Sequence, residues 1–477
     1  MLTESLTKRF HDKIIKSRVL GADGISTKKF EETLDTEIAL IQRKVSNLSY
    51  RFSRFNEKLI LKNKFSPPRA VYIPTVRGRL VLNALNSYLG EKFQEDLKPY
   101  QLTVKDNVAE IVKTLESEQF DAFIKLDVEN FFPSLDHEIL MKKLQARIED
   151  KTALSLIKKI LNRSEQGIAQ GLSISSQLAA IYLNEIDKSL KHRSELKYFR
   201  FVDDILILCK HSDVDAIHKE IKQKMDDIKL DLHATKVGGK SEYGVLGKDT
   251  LEYLGFSFLG DKISVRESSV ERLRKRIRKL FIDISMKLER LSAATESEEI
   301  QAKQRDRFYQ ILNLKITGCM YEGKKYGWLL FFKDINDLTL LHHLDWFVKK
   351  CFSDFDMEYD SNKIKSFVTT HFKLKNLNPD KLDNNSYIPS FSSAMSWKQL
   401  ISLGDSTELE KPEELEEPEK PEEPEKSEKL EVLEELEEDI KLEEVVEIVR
   451  GEKPDNSEYY EVKDLEKCYL NLHSFTL

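Results

Sequence analysis

Two neighbouring aspartates, Asp203 and Asp204, lie between two strongly apolar runs at positions 198–202 and 205–209. Both runs are rich in β-branched and aromatic residues, so the sequence predicts two strands joined by a turn at the aspartates. A carboxylate is costly to bury unless it is paired or binds a metal. An aspartate pair is also an ordinary turn signal, and for these two residues alone that interpretation is the stronger one.

A third aspartate, Asp127, ends another apolar run at positions 120–126, which has the character of a buried strand. Three carboxylates on neighbouring strand ends form an oxygen-rich site of the kind that Mg²⁺ prefers, and Mg²⁺ takes its remaining ligands from water and phosphates. Two such ions, about 4 Å apart, stabilise both the attacking and the leaving oxygen of an in-line displacement. The pattern therefore indicates metal-assisted phosphoryl transfer.

Several segments resemble, in chain order, the sequence blocks of the reverse transcriptase family. Phe-Val-Asp-Asp at 201–204 matches the aromatic-x-Asp-Asp block, and the run 124–137 looks like the block whose first catalytic aspartate falls on Asp127. Gln-Gly-Leu-Ser-Ile-Ser at 170–175 is similar to the Gln-Gly-x-x-x-Ser block. Positions 21–26, 69–79, 234–236 and 251–256 resemble, respectively, the extra N-terminal block of bacterial intron-like enzymes, the first fingers block, the lysine block and the primer grip. The resemblance covers about residues 20–260.

This resemblance implies a two-metal polymerase site. Asp127, Asp203 and Asp204 would hold two Mg²⁺ ions, with Mn²⁺ as a substitute, and Val128 is assigned as a further metal ligand. The ions would activate a 3′-hydroxyl for attack on the α-phosphate of a dNTP. Lys236 would protonate the leaving pyrophosphate, although an ordinary surface lysine is nearly as good an interpretation.

The resemblance also assigns residues to the nucleotide. Arg69 and Arg79 are candidates for the triphosphate, because guanidinium groups match phosphate oxygens in shape and charge. Arg77 competes for the same role, and solvated surface arginines are the alternative.

Three further residues would shape the nucleotide pocket. Phe132 falls where the family has an aromatic gate that excludes a 2′-hydroxyl; a core aromatic beside Phe131 is the alternative. Gln170 and Gly171 would let the backbone approach the template and the incoming base closely, since glycine lacks a Cβ.

The fold class expected from the patterns is α+β. Apolar periodicity predicts helices at 28–63, 80–97, 137–148, 175–192, 216–226 and 266–291, and strands at 69–74, 120–126, 198–209 and 251–258. Strands and helices mix without a regular βαβ repeat, which favours a sheet with helices on one face. The resemblance implies a right-hand polymerase fold of fingers and palm, followed by a mostly helical thumb and C-terminal domain.

We divide the chain into five segments. Residues 1–120 form an N-terminal extension and fingers, 121–262 the palm, 263–400 the helical thumb and C-terminal domain, 401–450 an acidic low-complexity linker and 451–477 a C-terminal segment. The thumb would grip nucleic-acid phosphates through one basic face, although a charge run is usually just a solvated face. The residues assigned to nucleic-acid binding are Arg272, Arg274, Lys275, Arg276 and Arg278.

The charge of the chain is divided between two regions. The formal net charge of −7 argues against a polyanionic partner. Positions 408–447 hold 20 acidic and 5 basic residues, a net −15, so the other 437 residues carry +8. The low-complexity composition of this tail predicts disorder. We expect the tail to shield the basic surface or to dock another subunit.

The subgroup that the chain resembles is the unknown-group, defence-associated class of bacterial reverse transcriptases, which act against phage, often with a noncoding RNA. The expected function is synthesis of cDNA from such an RNA, with dNTPs as substrates and a DNA product. Some members form oligomers or prime from a protein side chain, and Tyr459, Tyr460 and Tyr469 are candidate priming hydroxyls. A retron or stand-alone intron-derived enzyme is one alternative, and a non-catalytic RNA-binding scaffold is the other.

Two compositional features bear on location. The four cysteines are scattered without a CxxC pair, which favours a reducing compartment. No apolar run approaches the roughly 18 residues of a membrane span, and the first residues lack a signal-peptide core. We therefore expect a cytoplasmic protein without a membrane partner.

Overall fold

The computed structural model describes residues 6–15, 20–60, 68–97, 102–293, 297–321, 324–376 and 387–391. The acidic linker, the last segment and the three candidate priming tyrosines lie outside these ranges. The described helices are α1 (Leu6–Arg9, continued by a π-helical turn, Phe10–Ile14), α2 (Thr27–Glu31), α3 (Leu34–Ser46), α4 (Val76–Lys92), α5 (Gln94–Leu97), α6 (Val104–Glu116), α7 (Phe131–Ser134), α8 (His137–Gln145), α9 (Lys151–Leu161), α10 (Ser175–Lys191), α11 (Val214–Asp227), α12 (Glu267–Ala293), α13 (Glu298–Thr317), α14 (Trp328–Phe331), α15 (Leu338–Asp354) and α16 (Phe367–Asn376). A 3-10 turn (His211–Asp213) precedes α11.

The described strands form four sheets. They are β1 (Asn56–Ile60), β2 (Arg69–Ile73), β3 (Ala122–Asp127), β4 (Leu196–Phe201), β5 (Asp204–Cys209), β6 (Glu242–Val245), β7 (Leu251–Tyr253), β8 (Phe256–Leu259), β9 (Lys262–Val265), β10 (Cys319–Tyr321), β11 (Lys324–Tyr326) and β12 (Ser390–Phe391). The central sheet has the order β4-β5-β3-β6 with antiparallel neighbours. The hairpin β1-β2, the sheet β7-β8-β9 and the sheet β11-β10-β12 are smaller.

Both faces of the central sheet are buried, so the expectation of helices on one face only was wrong. Ile124 and Ile207 belong to a core that includes residues of α4, α8, α9, α10 and α11. Phe123 and Leu208, which alternate with them, belong to a second core formed with α6, the sheet β7-β8-β9 and the C-terminal helices. The strands β3 and β5 are continuous apolar runs for this reason, as strands covered on both sides commonly are.

Two predicted elements end earlier than their patterns suggested. The helix expected over 28–63 is two helices, α2 and α3, and stops at Ser46, because Leu48 takes the left-handed conformation at φ 53° and the chain then runs out to β1. The strand expected over 251–258 is a hairpin, since Leu254 and Gly255, at φ 50° and 87°, form a turn between β7 and β8. The spacing of apolar residues over a short stretch does not show where the chain changes direction.

The C-terminal region is mostly helical, as expected, but also holds the small sheet β11-β10-β12. The basic helix α12 packs against α13 and α15, and α15 packs against α16. Cys209, Cys319 and Cys351 are buried free thiols. In the described part of the chain, no helix combines the length and apolar character that crossing a bilayer requires.

Candidate active site

The three aspartates meet at one end of the central sheet. Asp127 is the last residue of β3 and pairs in register with Asp204, the first residue of β5, so their Cα atoms lie about 5 Å apart. Asp203 precedes Asp204 in the tight turn from β4 to β5. Val202 in that turn has φ 61°, a left-handed conformation that a β-branched residue rarely adopts. The predicted grouping of Asp127, Asp203 and Asp204 is therefore present.

Hydrogen bonds hold this strained turn on both sides. The Arg200 guanidinium donates to the Val202 carbonyl oxygen at 2.9 Å. The Tyr253 hydroxyl donates to the Asp204 carbonyl oxygen at 3.0 Å, which ties the turn to β7. Because Asp203 lies between the two clamped carbonyls, the clamps fix the direction of its backbone.

A buried ion pair positions Arg200. Its Nε atom donates to Asp187 Oδ1 at 2.7 Å, a second bond joins its other terminal nitrogen to Oδ2, and the side chains are 4% and 0% exposed. The Tyr198 hydroxyl also donates to Asp187 Oδ1, at 2.7 Å. Although burial opposes the charge on Arg200, Asp187 outweighs this effect and raises the pKa of the guanidinium. The helix α10 thus supports the aspartate turn through β4.

The carboxylates repel one another electrostatically. Burial, followed by the negative charges of Asp203 and Asp127, raises the pKa of Asp204 to about 7. Lys125 and Arg266 act in the opposite direction. A site that gathers like charges in this way is arranged for a cation.

Asp127 is already contacted by two nitrogen groups. The Lys240 ammonium lies 3.3 Å from Asp127 Oδ2, and His233 Nε2 lies 3.4 Å from the same oxygen. Lys240 and His233 are also 2.8 Å apart, and the other ring nitrogen of His233 lies 3.2 Å from Glu129. Lys236, the predicted proton donor, is exposed and makes no ion pair with any described residue. The structure therefore brings Lys240, rather than Lys236, to the aspartates.

The donor set fits Mg²⁺ in its chemistry. It offers hard carboxylate oxygens from two facing strand ends, and their mutual repulsion is what a divalent cation relieves. The β-bridge between Val128 and Leu232 is formed by hydrogen bonds of the Asp127 carbonyl and the Glu129 N–H. The Val128 carbonyl takes no part in this bridge. Among the described residues no three His, Cys, Asp or Glu side chains yet converge as a metal site. A bound metal would replace Lys240 and His233 as the group that contacts the Asp127 carboxylate.

The three arginines of the predicted fingers differ in the contacts that their side chains make. Arg77 forms a two-bond ion pair with Glu37, and its competition for the triphosphate stays a prediction. Arg79 donates to the Leu20 carbonyl at 2.5 Å, and burial lowers the pKa of its guanidinium. Arg69 is exposed at the start of β2. Triphosphate binding by Arg69 and Arg79 stays a prediction.

Gly171 is required by a close approach of two chain segments. The Gln170 carbonyl accepts a 2.8 Å hydrogen bond from the Tyr72 N–H, which joins the segment before α10 to β2. A Cβ at Gly171, where φ is 90°, would lie 2.5 Å from Val71 Cγ1. The absence of a Cβ at Gly171 thus allows its close contact with β2. Contact of Gly171 with the template stays a prediction.

Phe132 is half-buried, with its ring 5.4 Å from that of Phe131, so either proposed role is compatible with its position.

Replacing Gly171 with Ala should lower the free energy of unfolding by about 2–4 kcal/mol, from the left-handed backbone and the clash with Val71 together. Gly238→Ala is the matched control, because Gly238 has φ 67° but no atom within 4 Å of its would-be Cβ. It should lose only about 1–2 kcal/mol. Chemical denaturation of both variants measures the difference, and equal losses would contradict the close-approach argument.

The five basic residues predicted to bind nucleic acid lie along α12. Their side chains differ in the ion pairs and hydrogen bonds that they form. Arg274 pairs with Glu267 and Glu271, and Arg278 with Asp354. Lys275 and Arg276 are exposed and in no ion pair with described residues. Arg272 donates to Ser268 and Ser269. Nucleic-acid binding by these five residues stays a prediction.

Sequence reasoning missed several residues of the site, among them Arg200, Asp187, Tyr253, His233 and Lys240. The signal available for Lys240 was the Gly-Gly pair at 238–239, which turns the chain back: the Gly239 N–H donates to the Lys236 carbonyl, and Thr235 bridges to Ser241. Nothing local in the sequence pairs position 187 with position 200.

A family model described as "Reverse transcriptase (RNA-dependent DNA polymerase)" matches residues 60–258, which include all three aspartates. Protein YkfC of Escherichia coli (strain K12) is 21% identical over 310 residues, covering 53% of this chain and 78% of that protein. The putative COX1/OXI3 intron 2 protein of Saccharomyces cerevisiae is 25% identical over 162 residues. That match covers 28% of this chain, which spans only 19% of the yeast protein.

Among solved structures, the chain is similar to telomerase from Candida albicans in complex with the TWJ fragment of telomeric RNA. The identity is 12%, the TM-score is 0.39, and the match covers 74% of this chain and 69% of that one. Telomerase from Candida tropicalis with the same type of RNA fragment gives 12%, a TM-score of 0.40, and coverage of 79% and 67%. Both likenesses are weak.

Proposed function

We propose that the chain is an RNA-directed DNA polymerase that copies a partner noncoding RNA into cDNA and acts in antiphage defence; the match of residues 60–258 to the reverse transcriptase family model supports the polymerase activity. The observation that carries the polymerase part is the register of Asp127 opposite Asp204, with Asp203 adjacent in a clamped turn. The defence role is supported by the sequence resemblance to defence-associated enzymes. The proposed substrates are dNTPs, the product is DNA, and the place of action is the cytoplasm.

In the proposed reaction each group of the chain has a defined task. Asp127, Asp203 and Asp204 hold Mg²⁺, which when bound neutralises phosphate charge and activates the attacking hydroxyl. Lys240 lies beside these aspartates at 3.3 Å, so it is a better placed proton donor for pyrophosphate than Lys236.

The proposed tasks of the remaining groups concern the nucleotide. Arg69 and Arg79 bind the triphosphate, and the Phe132 ring excludes a 2′-hydroxyl. Apart from the nucleotide, the proposed task of the acidic tail is to shield the basic surface or to dock another subunit.

Replacing Phe132 with Ala tests the sugar gate. The variant should raise the ratio of ribonucleotide to deoxyribonucleotide incorporation at least about tenfold, because a ring's volume is removed beneath the sugar. Primer extension with single nucleotides measures this ratio. Phe131→Leu, in the adjoining core, is the control for general loosening; if it shifts the ratio equally, Phe132 is a core residue and not a gate.

The partner RNA is tested by sequencing nucleic acid bound to the chain in its native host. The proposal expects one abundant noncoding RNA together with DNA complementary to it, and loss of phage resistance when Asp203 is replaced by Asn. Bound intron RNA or retron-type RNA–DNA would instead support an intron-derived or retron enzyme, a candidate favoured by the match to the yeast intron protein. RNA without DNA, and resistance that survives Asp203→Asn, would support a non-catalytic scaffold.

A further inference from the structure

The outer face of α15 combines an exposed indole with basic side chains. Trp346 is 60% exposed, although a ring of this size is usually largely buried. The inner face of the helix contributes Leu341, Leu344, Val348 and other residues to the second core. The opposite face carries exposed residues at helical spacing around Trp346, namely His342, His343, Lys349 and Lys350.

Neither carboxylate of α15 is paired with Lys349 or Lys350. The helix has two acidic residues, and both are committed elsewhere. Asp345 accepts hydrogen bonds from Ser366 Oγ and the Phe367 N–H at 2.6 Å each, which hold the start of α16. Asp354 pairs with Arg278 of α12 at 3.3 Å. Of the residues of α15, the face around Trp346 thus carries two lysines and no acidic side chain.

Lysine and aromatic groups on this face lie next to each other. The Lys350 ammonium is 5.3 Å from the centre of the Trp346 ring, and Lys349 is 5.5 Å from that of Tyr359, which is 37% exposed. Neither lysine is in an ion pair with a residue that the structure describes. A nucleotide whose base stacks on the indole would bring its phosphates within reach of both ammonium groups.

We infer that this face, defined by His342, His343, Trp346, Lys349 and Lys350, binds single-stranded RNA. Aromatic side chains stack unpaired bases and lysines neutralise phosphates, a combination that binds single strands with little sequence preference. The bases of a duplex are stacked on one another and cannot stack on the indole. A duplex would therefore gain only the electrostatic attraction between its phosphates and the lysines. The face extends about 12 Å along the helix, the length of a few nucleotides. The choice of RNA rests on the proposed function.

The composition of the face argues against a protein partner. Interface cores are depleted in lysine and present contiguous apolar area, whereas Trp346 is surrounded by imidazole and ammonium groups.

The test measures binding of a labelled single-stranded RNA of mixed sequence to the full-length chain. Trp346→Ala should weaken binding about tenfold, and Trp346→Phe should retain most of it, because the ring is what stacks. The same RNA annealed to its complement should bind both proteins about equally. Replacing Lys349 and Lys350 with Gln should reduce the salt dependence of single-strand binding, by about 0.7 in the logarithmic slope per lysine.

Phe372→Ala is the matched control, since Phe372 is a 47% exposed aromatic on α16. It should bind RNA as the unmodified chain does. The inference is overturned if Trp346→Ala binds single strands within twofold of the unmodified chain, if duplex binding falls equally, or if self-association falls instead of RNA binding. Extension of a pre-annealed primer by the unmodified chain is measured alongside. Absence of extension by the unmodified chain would count against the proposed function, and not against this site.

Discussion

Replacing Asp203 with Asn should reduce RNA-templated DNA synthesis by at least about 10³-fold, because the site loses one of three carboxylates that hold the metal ions. The Asn side chain has nearly the same size and shape as that of Asp, so the turn at Val202 should persist. Primer extension on an RNA template with Mg²⁺ measures the loss.

The stability of the Asp203→Asn chain provides a second readout. The negative charge of Asp203 raises the pKa of Asp204, so its removal relieves repulsion and the midpoint of thermal unfolding should stay the same or rise. Asp226→Asn, which neutralises an exposed carboxylate on α11, should change neither activity nor stability. A large fall in stability with Asp203→Asn would mean that the aspartate is structural.

Replacing Arg200 with Met should lower the free energy of unfolding by about 3–5 kcal/mol, because it leaves the fully buried Asp187 charge without its partner. Activity should fall as well, since the Val202 carbonyl loses its donor next to Asp203. Chemical denaturation and primer extension measure the two effects. The partly exposed pair of Arg193 and Glu220 is the control, and Arg193→Met should cost no more than about 1 kcal/mol.

A double variant separates stability from positioning. Arg200→Met combined with Asp187→Leu removes both buried charges, so stability should recover much of the loss seen in the single variant. Activity should stay low, because no donor then holds the Val202 carbonyl. If activity recovers together with stability, the ion pair supports the fold and does not position the aspartate turn.

The grouping of the three aspartates could be predicted because their signal is local. Asp127 and Asp203 each interrupt or end an apolar run, where a buried carboxylate needs a partner charge or a metal. The helix α10, the hairpin β4-β5 and the thumb helix α12 could be predicted for the same reason, since each displays its own periodicity.

The remaining features depend on contacts between distant parts of the chain. The support of Arg200 by Asp187 joins β4 to α10, and the contact of Lys240 with Asp127 depends on a glycine turn that folds the chain back. The second covered face of the central sheet belongs to a core that also includes residues far along the chain, such as Leu312 and Val348. Their sequence patterns show that they are buried, but not against which sheet.

The most direct test of the polymerase site is extension of a DNA primer on an RNA template with dNTPs and Mg²⁺, comparing the unmodified chain with Asp203→Asn. The account predicts DNA complementary to the template from the unmodified chain, none without divalent metal and none above background from Asp203→Asn. Extension by both proteins at the same rate, or by neither while both bind RNA, would contradict it.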